Sequence, residues 1–245
     1  MSEVAKFFSE VAANIAGLKD VRDVQALSRV WLREVTRHRY AYNFTWMGRP
    51  LIQLPQDMVA MQEIIWRVKP DLIIETGVAH GGSLIYYASL LELLGNDAQV
   101  IGIDIDIREH NRIELERHPM FKRIELIQGS SIDPDVAGEV ARRAQGRKSV
   151  LVALDSNHTH DHVLHELQLY APLVTRDSYL VVFDTLIEDM PEEFFVDRPW
   201  GKGNNPKTAV QQFLTTTDRF VIDKEIDAKL LITVALDGYL RCVKD

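Results

Sequence analysis

The stretch Asp71-Leu-Ile-Ile-Glu-Thr-Gly-Val-Ala-His-Gly-Gly-Ser83 constrains the fold of this chain more than any other. A short apolar run, Leu72 to Ile74, ends in an acid, Glu75. Gly77, Gly81 and Gly82 follow, and a helical pattern begins near Ser83. That order is a buried strand, a tight turn and a helix start. Glycines let the backbone approach a ligand closely, and the free N–H groups of a helix start favour a carboxylate or phosphate. A second apolar strand, Val100 to Asp104, also ends in an acid, a position from which a carboxylate accepts hydrogen bonds from ribose hydroxyls in open α/β sheets. The glycines are spaced G-x-x-x-G-G rather than G-x-G-x-x-G, so the loop is not a dinucleotide fingerprint. It reads as an S-adenosylmethionine site.

The periodicity along the chain supports this. The first 70 residues read as a helical cap and a substrate or oligomer segment, with helices over Val4–Ile15, Val21–Thr36 and Pro55–Val68. Between the last two lies an aromatic, turn-rich stretch, Phe44 to Pro55. From residue 71 to 245 strand and helix patterns alternate, which predicts parallel strands with crossover helices. Strands are expected at Leu72–Glu75, Gln99–Asp104, Arg123–Gln128, Val150–Leu154, Tyr179–Phe183, Phe220–Ile222, Leu230–Leu236 and Tyr239–Val243. Asp133-Pro134 and Asn205-Pro206 are helix starts, and Asp237-Gly238 suits a hairpin turn between the last two strands. The expected fold is α/β: a Rossmann-like, central, mostly parallel seven-stranded sheet with helices on both faces and a C-terminal antiparallel hairpin.

Composition narrows the function classes. A net charge of -8 argues against a nucleic-acid partner. Cys242 is the sole cysteine, which excludes an internal disulfide and suits a reducing cytoplasm. No apolar run approaches membrane-spanning length, so no membrane partner is expected.

Two further strands, Val150 to Leu154 and Tyr179 to Phe183, run directly into Asp155 and Asp184. Parallel strands bring both carboxylates to one sheet edge, beside Glu75 and Asp104. Strand-end aspartates also cap turns, but two hard oxygen ligands beside a glycine loop suit Mg²⁺. The segment Asp155-Ser-Asn-His-Thr-His-Asp-His162 nearly spells the zinc motif H-x-H-x-D-H, one residue short. A helix starting near His160 would turn His160 and His162 apart and onto the surface. His158, in the loop just past Asp155, is placed to take a proton from an alcohol that a metal has acidified.

Together these residues resemble the cephalosporin hydroxylase family, which includes rhamnosyl O-methyltransferases. The motifs that carry the resemblance are Thr45-Trp-Met-Gly-Arg-Pro-Leu-Ile-Gln-Leu-Pro-Gln-Asp57, Glu75 to Ser83, Gly102-Ile-Asp-Ile-Asp106, Leu154 to His158 and Asn204-Asn-Pro-Lys-Thr-Ala-Val210. The resemblance implies an S-adenosylmethionine- and Mg²⁺-dependent O-methyltransferase acting on a hydroxylated sugar or other natural product; the expected partners are the small-molecule acceptor and further copies of the chain. It implies that Glu75, Gly77 and Ser83 line the methionine part of the cofactor, with Gly81 of the same loop also cofactor-binding, Asp104 its ribose, and Ser130 and Ser131 its adenine. Asp155 and Asp184 would hold the metal, with Asp155 also near the cofactor's ammonium, and His158 would be the catalytic base. Phe183 departs from related sites, which often carry Glu there, so Thr185 or Asp189 becomes a candidate replacement ligand. The segment Leu186 to Gly203 is a candidate lid over the acceptor. Two other readings compete: a cofactor-binding helper to a separate oxygenase, and a zinc hydrolase built on the histidines.

Overall fold

The computed structural model describes residues 2–245. Two helices, α1 (Glu3–Lys19) and α2 (Arg22–Thr36), lead into a small hairpin of β1 (Phe44–Trp46) and β2 (Arg49–Leu51). Met47 and Gly48 turn this hairpin with positive φ, the conformation tight hairpin turns require. Helix α3 (Pro55–Val68) follows, with proline in its first turn, where a missing N–H costs nothing.

The remaining elements alternate: β3 (Leu72–Thr76), α4 (Gly82–Leu94), β4 (Gln99–Asp104), α5 (Glu109–Glu116), β5 (Ile124–Gln128), α6 (Pro134–Ala144), β6 (Val150–Leu154), α7 (His160–Tyr170) and β7 (Tyr179–Val182). Then come α8 (Pro206–Leu214), β8 (Phe220–Ile222), α9 (Lys224–Leu230) and β9 (Tyr239–Cys242). Asp133 and Asn205 cap α6 and α8 through their side chains, as the Asp-Pro and Asn-Pro pairs predict.

The seven-stranded sheet has the order β5-β4-β3-β6-β7-β9-β8, with β9 antiparallel to both neighbours. Its β3 and β6 strands are buried throughout, so both read as continuous apolar runs. One face packs Ile73, Val100 and Leu151 against Met61, Ile64 and Ile65 of α3 and Leu84 and Leu91 of α4. The other packs Leu72, Ile74 and Val152 against Val140 of α6, Val163 and Leu167 of α7 and Val210 of α8. Chain order reverses between β3 and β6. In such sheets the crevice for ligands opens at this point, beyond the strands' carboxyl ends.

The expected strand over Leu230–Leu236 is absent. Helix α9 ends there at Leu231, which has φ +60°, and the following backbone is held by a buried acid. Asp57 on α3 accepts hydrogen bonds from the Val234 N–H (3.0 Å), the Tyr239 hydroxyl (2.7 Å) and the Thr233 hydroxyl. An N–H claimed by a side chain is lost to strand pairing at that position. The antiparallel pair is therefore β8 with β9, joined through α9, and Asp237-Gly238 turns a loop rather than a hairpin. Burial raises the Asp57 carboxyl to about 6. No helix among the described residues is long and apolar enough to cross a membrane.

Candidate active site

Two strand ends make the floor of the site. Thr76 at the end of β3 lies in register with Leu154 at the end of β6, so Gly77 and Asp155 leave the sheet side by side. Their approach is close: a Cβ on Gly77, which has φ +93°, would lie 2.1 Å from the Asp155 carbonyl oxygen. Only glycine fits there. At the start of α4, a Cβ on Gly82 would strike the Pro50 carbonyl at 2.1 Å, so the β1–β2 hairpin is seated directly on the glycine loop. Arg49 locks the hairpin to that loop, donating to the His80 carbonyl at 2.7 and 3.0 Å and to Asn111 Oδ1 at 3.0 Å.

Glu75 is fully buried beneath the loop, where Ser83 donates to its Oε2 at 2.6 Å and its Oε1 has no partner. Burial raises this carboxyl to about 8, against the opposing hydrogen bond from Ser83. An unpartnered buried carboxylate oxygen fits a site completed by a cationic ligand. Asp104 at the end of β4 accepts from the N–H groups of Val78 (2.8 Å) and Ala79 (3.2 Å) through Oδ2 and from Asp106 through Oδ1. The ribose candidate thus also holds the glycine loop in shape.

The cleft above these groups encloses about 770 Å³, within the range of small-molecule sites. Gly77, Ser83, Asp155, His158 and Asp184 line it; Asp104, Ser130 and Ser131 stand outside its wall, at the ends of β4 and β5. The Ser131 hydroxyl is 3.0 Å from His162 Nε2, and its carbonyl accepts from Tyr170 at 2.7 Å, so that side chain is already engaged. The opposite wall comes from α2 and the turn after it, through Leu32, Val35 and Tyr40, and from the segment 186–203, through Phe194, Phe195 and Trp200.

Asp155, His158 and Asp184 each present an atom within 4.8 Å of the others. His158 Nε2 stands 3.1 Å from Asp184 Oδ2, and its ring packs T-shaped with Trp200, centroids 4.8 Å apart. Asp184 has φ +56°, an uncommon conformation for a side chain larger than glycine, of the kind concentrated at functional sites. Burial raises the Asp155 carboxyl well above its usual range, and the charges of Asp184, Glu75 and Glu166 push it further. Acids crowded in this way beside an imidazole are a donor set that a hard divalent cation would relieve.

Some sequence expectations need correction. Thr185 and Asp189, the candidate replacement ligands beside Phe183, do not join the Asp155–His158–Asp184 cluster. The Thr185 hydroxyl donates to the Leu236 carbonyl at 2.7 Å, and Asp189 pairs with Lys207 at 2.7 Å. Phe183 itself points into the core. His162 is not a surface residue: its Nε2 contacts Ser131, Ser156 (3.2 Å) and the fully buried Glu166 (3.5 Å). His160 lies elsewhere again, against Thr208 and Gln212 on α8, so the three histidines do not converge on one ion. Sequence reasoning singled out no role for Gln53, which donates to Asp155 Oδ2 at 3.2 Å. The signal was a lone amide among Leu51, Ile52 and Leu54.

Residues 38–243 match the family model described as rhamnosyl O-methyltransferase/CmcI. Rhamnosyl O-methyltransferase of Mycobacterium tuberculosis is 31% identical over 204 residues, covering 80% of this chain and 77% of that protein. The Mycobacterium leprae protein of the same name is 30% identical over 161 residues, covering 63% and 68%. Among solved structures, CmcI with magnesium and S-adenosylmethionine shares the fold with a TM-score of 0.58 at 21% identity, covering 83% of this chain and 78% of that one. An O-methyltransferase from Bacillus cereus does so at 0.52 and 16%, covering 78% and 80%. With its sheet order, its glycine loop and a family match over most of its length, the chain belongs to the rhamnosyl O-methyltransferase/CmcI family.

Proposed function

We propose that the protein is an S-adenosylmethionine- and Mg²⁺-dependent O-methyltransferase that methylates a hydroxyl of a sugar or other natural product. The observation that carries this reading is the convergence of Asp155, His158 and Asp184 beside the glycine loop, in one cleft. When bound, the cofactor supplies an electrophilic methyl group and Mg²⁺ acidifies a chelated hydroxyl. Asp155 and Asp184 would hold the metal, and Glu75, Gly77, Gly81 and Ser83 the methionine end of the cofactor. Asp104 would take the ribose, with Ser130 and Ser131 near the adenine. His158 accepts the acceptor's proton on the ring nitrogen turned away from Asp184, whose Oδ2 lies 3.1 Å from Nε2 and holds the ring in place. Phe194, Phe195 and Trp200 exclude water and shape the acceptor pocket. The family's rhamnosyl members make a sugar with neighbouring hydroxyls the first acceptor to try.

Residues 1–70 share a wall of the cleft with the segment 186–203 and are assigned as cap and subunit-contact segment. The exposed Val4, Phe7 and Phe8 on α1 suit contact with another copy. A cytoplasmic location agrees with the single, buried Cys242.

The test is release of S-adenosylhomocysteine from rhamnosides and other hydroxylated acceptors, with Mg²⁺ and with excess chelator. Asp104→Ala is expected to weaken S-adenosylmethionine binding by about 1–3 kcal/mol, the cost of losing charge-assisted hydrogen bonds. Unchanged affinity in calorimetry defeats the assignment of Asp104. No binding by the wild type defeats the whole reading.

Proton linkage supplies a second prediction. Glu75 is held protonated up to about pH 8 by burial, and a cationic ligand beside it favours the carboxylate. Cofactor binding at pH 7 without metal is therefore expected to release a proton, and affinity to rise with pH toward 8. Calorimetry in buffers of different ionisation enthalpy reads this directly. Glu75→Gln should remove the release, and a wild type that releases none refutes the contact.

A further inference from the structure

Gln53 lies between β2 and α3, 6% exposed, with apolar Leu51, Leu54 and Phe183 also buried around that junction. Its Nε2 donates to Asp155 Oδ2 at 3.2 Å, across 102 residues of sequence, and its Oε1 is buried without a partner. A half-satisfied buried amide calls for an explanation. Stability does not provide one, because an apolar side chain would occupy the same place with no orphaned oxygen. The contact with Asp155 does.

Asp155 shares a cluster with Asp184 and His158 in which each presents an atom within 4.8 Å of the others. Left to itself, a carboxylate so close to a second one turns away from it. A neutral donor on one oxygen counters that tendency and leaves the rest of the carboxylate for the Asp184–His158 side. The donor is itself fixed in place. Arg49 and the seat of Pro50 on Gly82 tie the hairpin before Gln53 to the glycine loop, and Asp57 anchors the helix after it. With Phe183 turned into the core, the cluster has two carboxylates, and the orientation of each weighs more in holding a cation.

We propose that Gln53 is a positioning residue that holds Asp155 in its metal-binding orientation and so sets the affinity for the divalent cation. The inference rests on the reading of Asp155 as a metal ligand. Groups that orient metal ligands in this way typically contribute 10–100-fold to metal affinity.

The experiment uses the full chain with Gln53→Met, which keeps the volume and removes the donor. Mn²⁺ affinity is read by electron paramagnetic resonance, Mg²⁺ by competition, and cofactor affinity by calorimetry in chelator. Mn²⁺ affinity should fall about 10–100-fold while cofactor affinity without metal and Tm stay near wild type. In turnover, the Mg²⁺ requirement should rise and kcat at saturating Mg²⁺ should recover. Gln53→Ser, which also lacks the amide, serves if the methionine variant does not fold. Unchanged metal affinity in a folded variant overturns the proposal. So does a parallel fall of metal affinity, cofactor affinity and Tm, which would mark Gln53 as a packing residue. A wild type that binds no Mn²⁺ overturns the metal site itself, a failure distinct from that of Gln53.

Discussion

His158→Ala is expected to slow methyl transfer by about 10²–10⁴-fold, the usual contribution of a general base, and to leave cofactor affinity nearly intact. The geometry separates the two effects. His158 sits on the Asp184 side of the cleft, 3.1 Å from that acid and packed T-shaped with Trp200, whereas Glu75, Ser83 and Asp104 belong to the glycine-loop side. Single-turnover kinetics on wild type and variant, with calorimetry for the cofactor, make the measurement. His160→Ala should leave the rate near wild type, since its ring spans Thr208 and Gln212 on α8 and touches neither Asp155 nor Asp184. His162→Ala should lower Tm, because it strips a partner from the fully buried Glu166 and from Ser131. A zinc hydrolase built on these histidines would instead lose metal with every one of the three replacements. Loss of rate confined to His158 supports the base; equal loss from His158 and His160 refutes it.

The parts of this site that could be read from sequence are those built by local patterns. Leu72–Ile74 and Val150–Leu154 are apolar runs buried on both sides, and the acids that follow them have to emerge at one sheet edge. The caps at Asp133 and Asn205 were equally local. What sequence could not give depended on distant partners. Leu230–Leu236 has the apolar, β-branched composition of a strand, yet Asp57, far earlier in the chain, takes its backbone donor. His162 opens a helix like a surface residue, but the loop after β5 folds over it and brings Ser131 to its ring. Thr185 and Asp189, expected as replacement ligands, stand outside the cluster and are engaged by distant partners, the Leu236 carbonyl and Lys207.

Asp155→Asn and Asp184→Asn should each abolish Mg²⁺-stimulated turnover, because a neutral amide is a poor substitute for a charged oxygen on a hard cation. Both variants are expected to fold. Asparagine tolerates the positive φ of position 184, and at position 155 it relieves the repulsion that raises the native carboxyl. A loss of activity with Tm preserved or raised is therefore the expected signature, and it separates ligand loss from unfolding. The pH dependence adds an independent check. A proton on Asp155 competes with the metal, and its carboxyl is raised by burial and by its acidic neighbours. Mg²⁺ affinity in the wild type should therefore weaken steadily as pH falls, with protons released on binding. Asp155→Asn has no such proton to displace, so whatever weak binding remains should lose that part of its pH dependence. Calorimetric titration of Mg²⁺ across the pH range, beside turnover with and without chelator, tests both statements. Full activity of the wild type in excess chelator, or undiminished Mg²⁺ affinity in both variants, would remove the metal from the mechanism and leave His158 to deprotonate an unassisted hydroxyl.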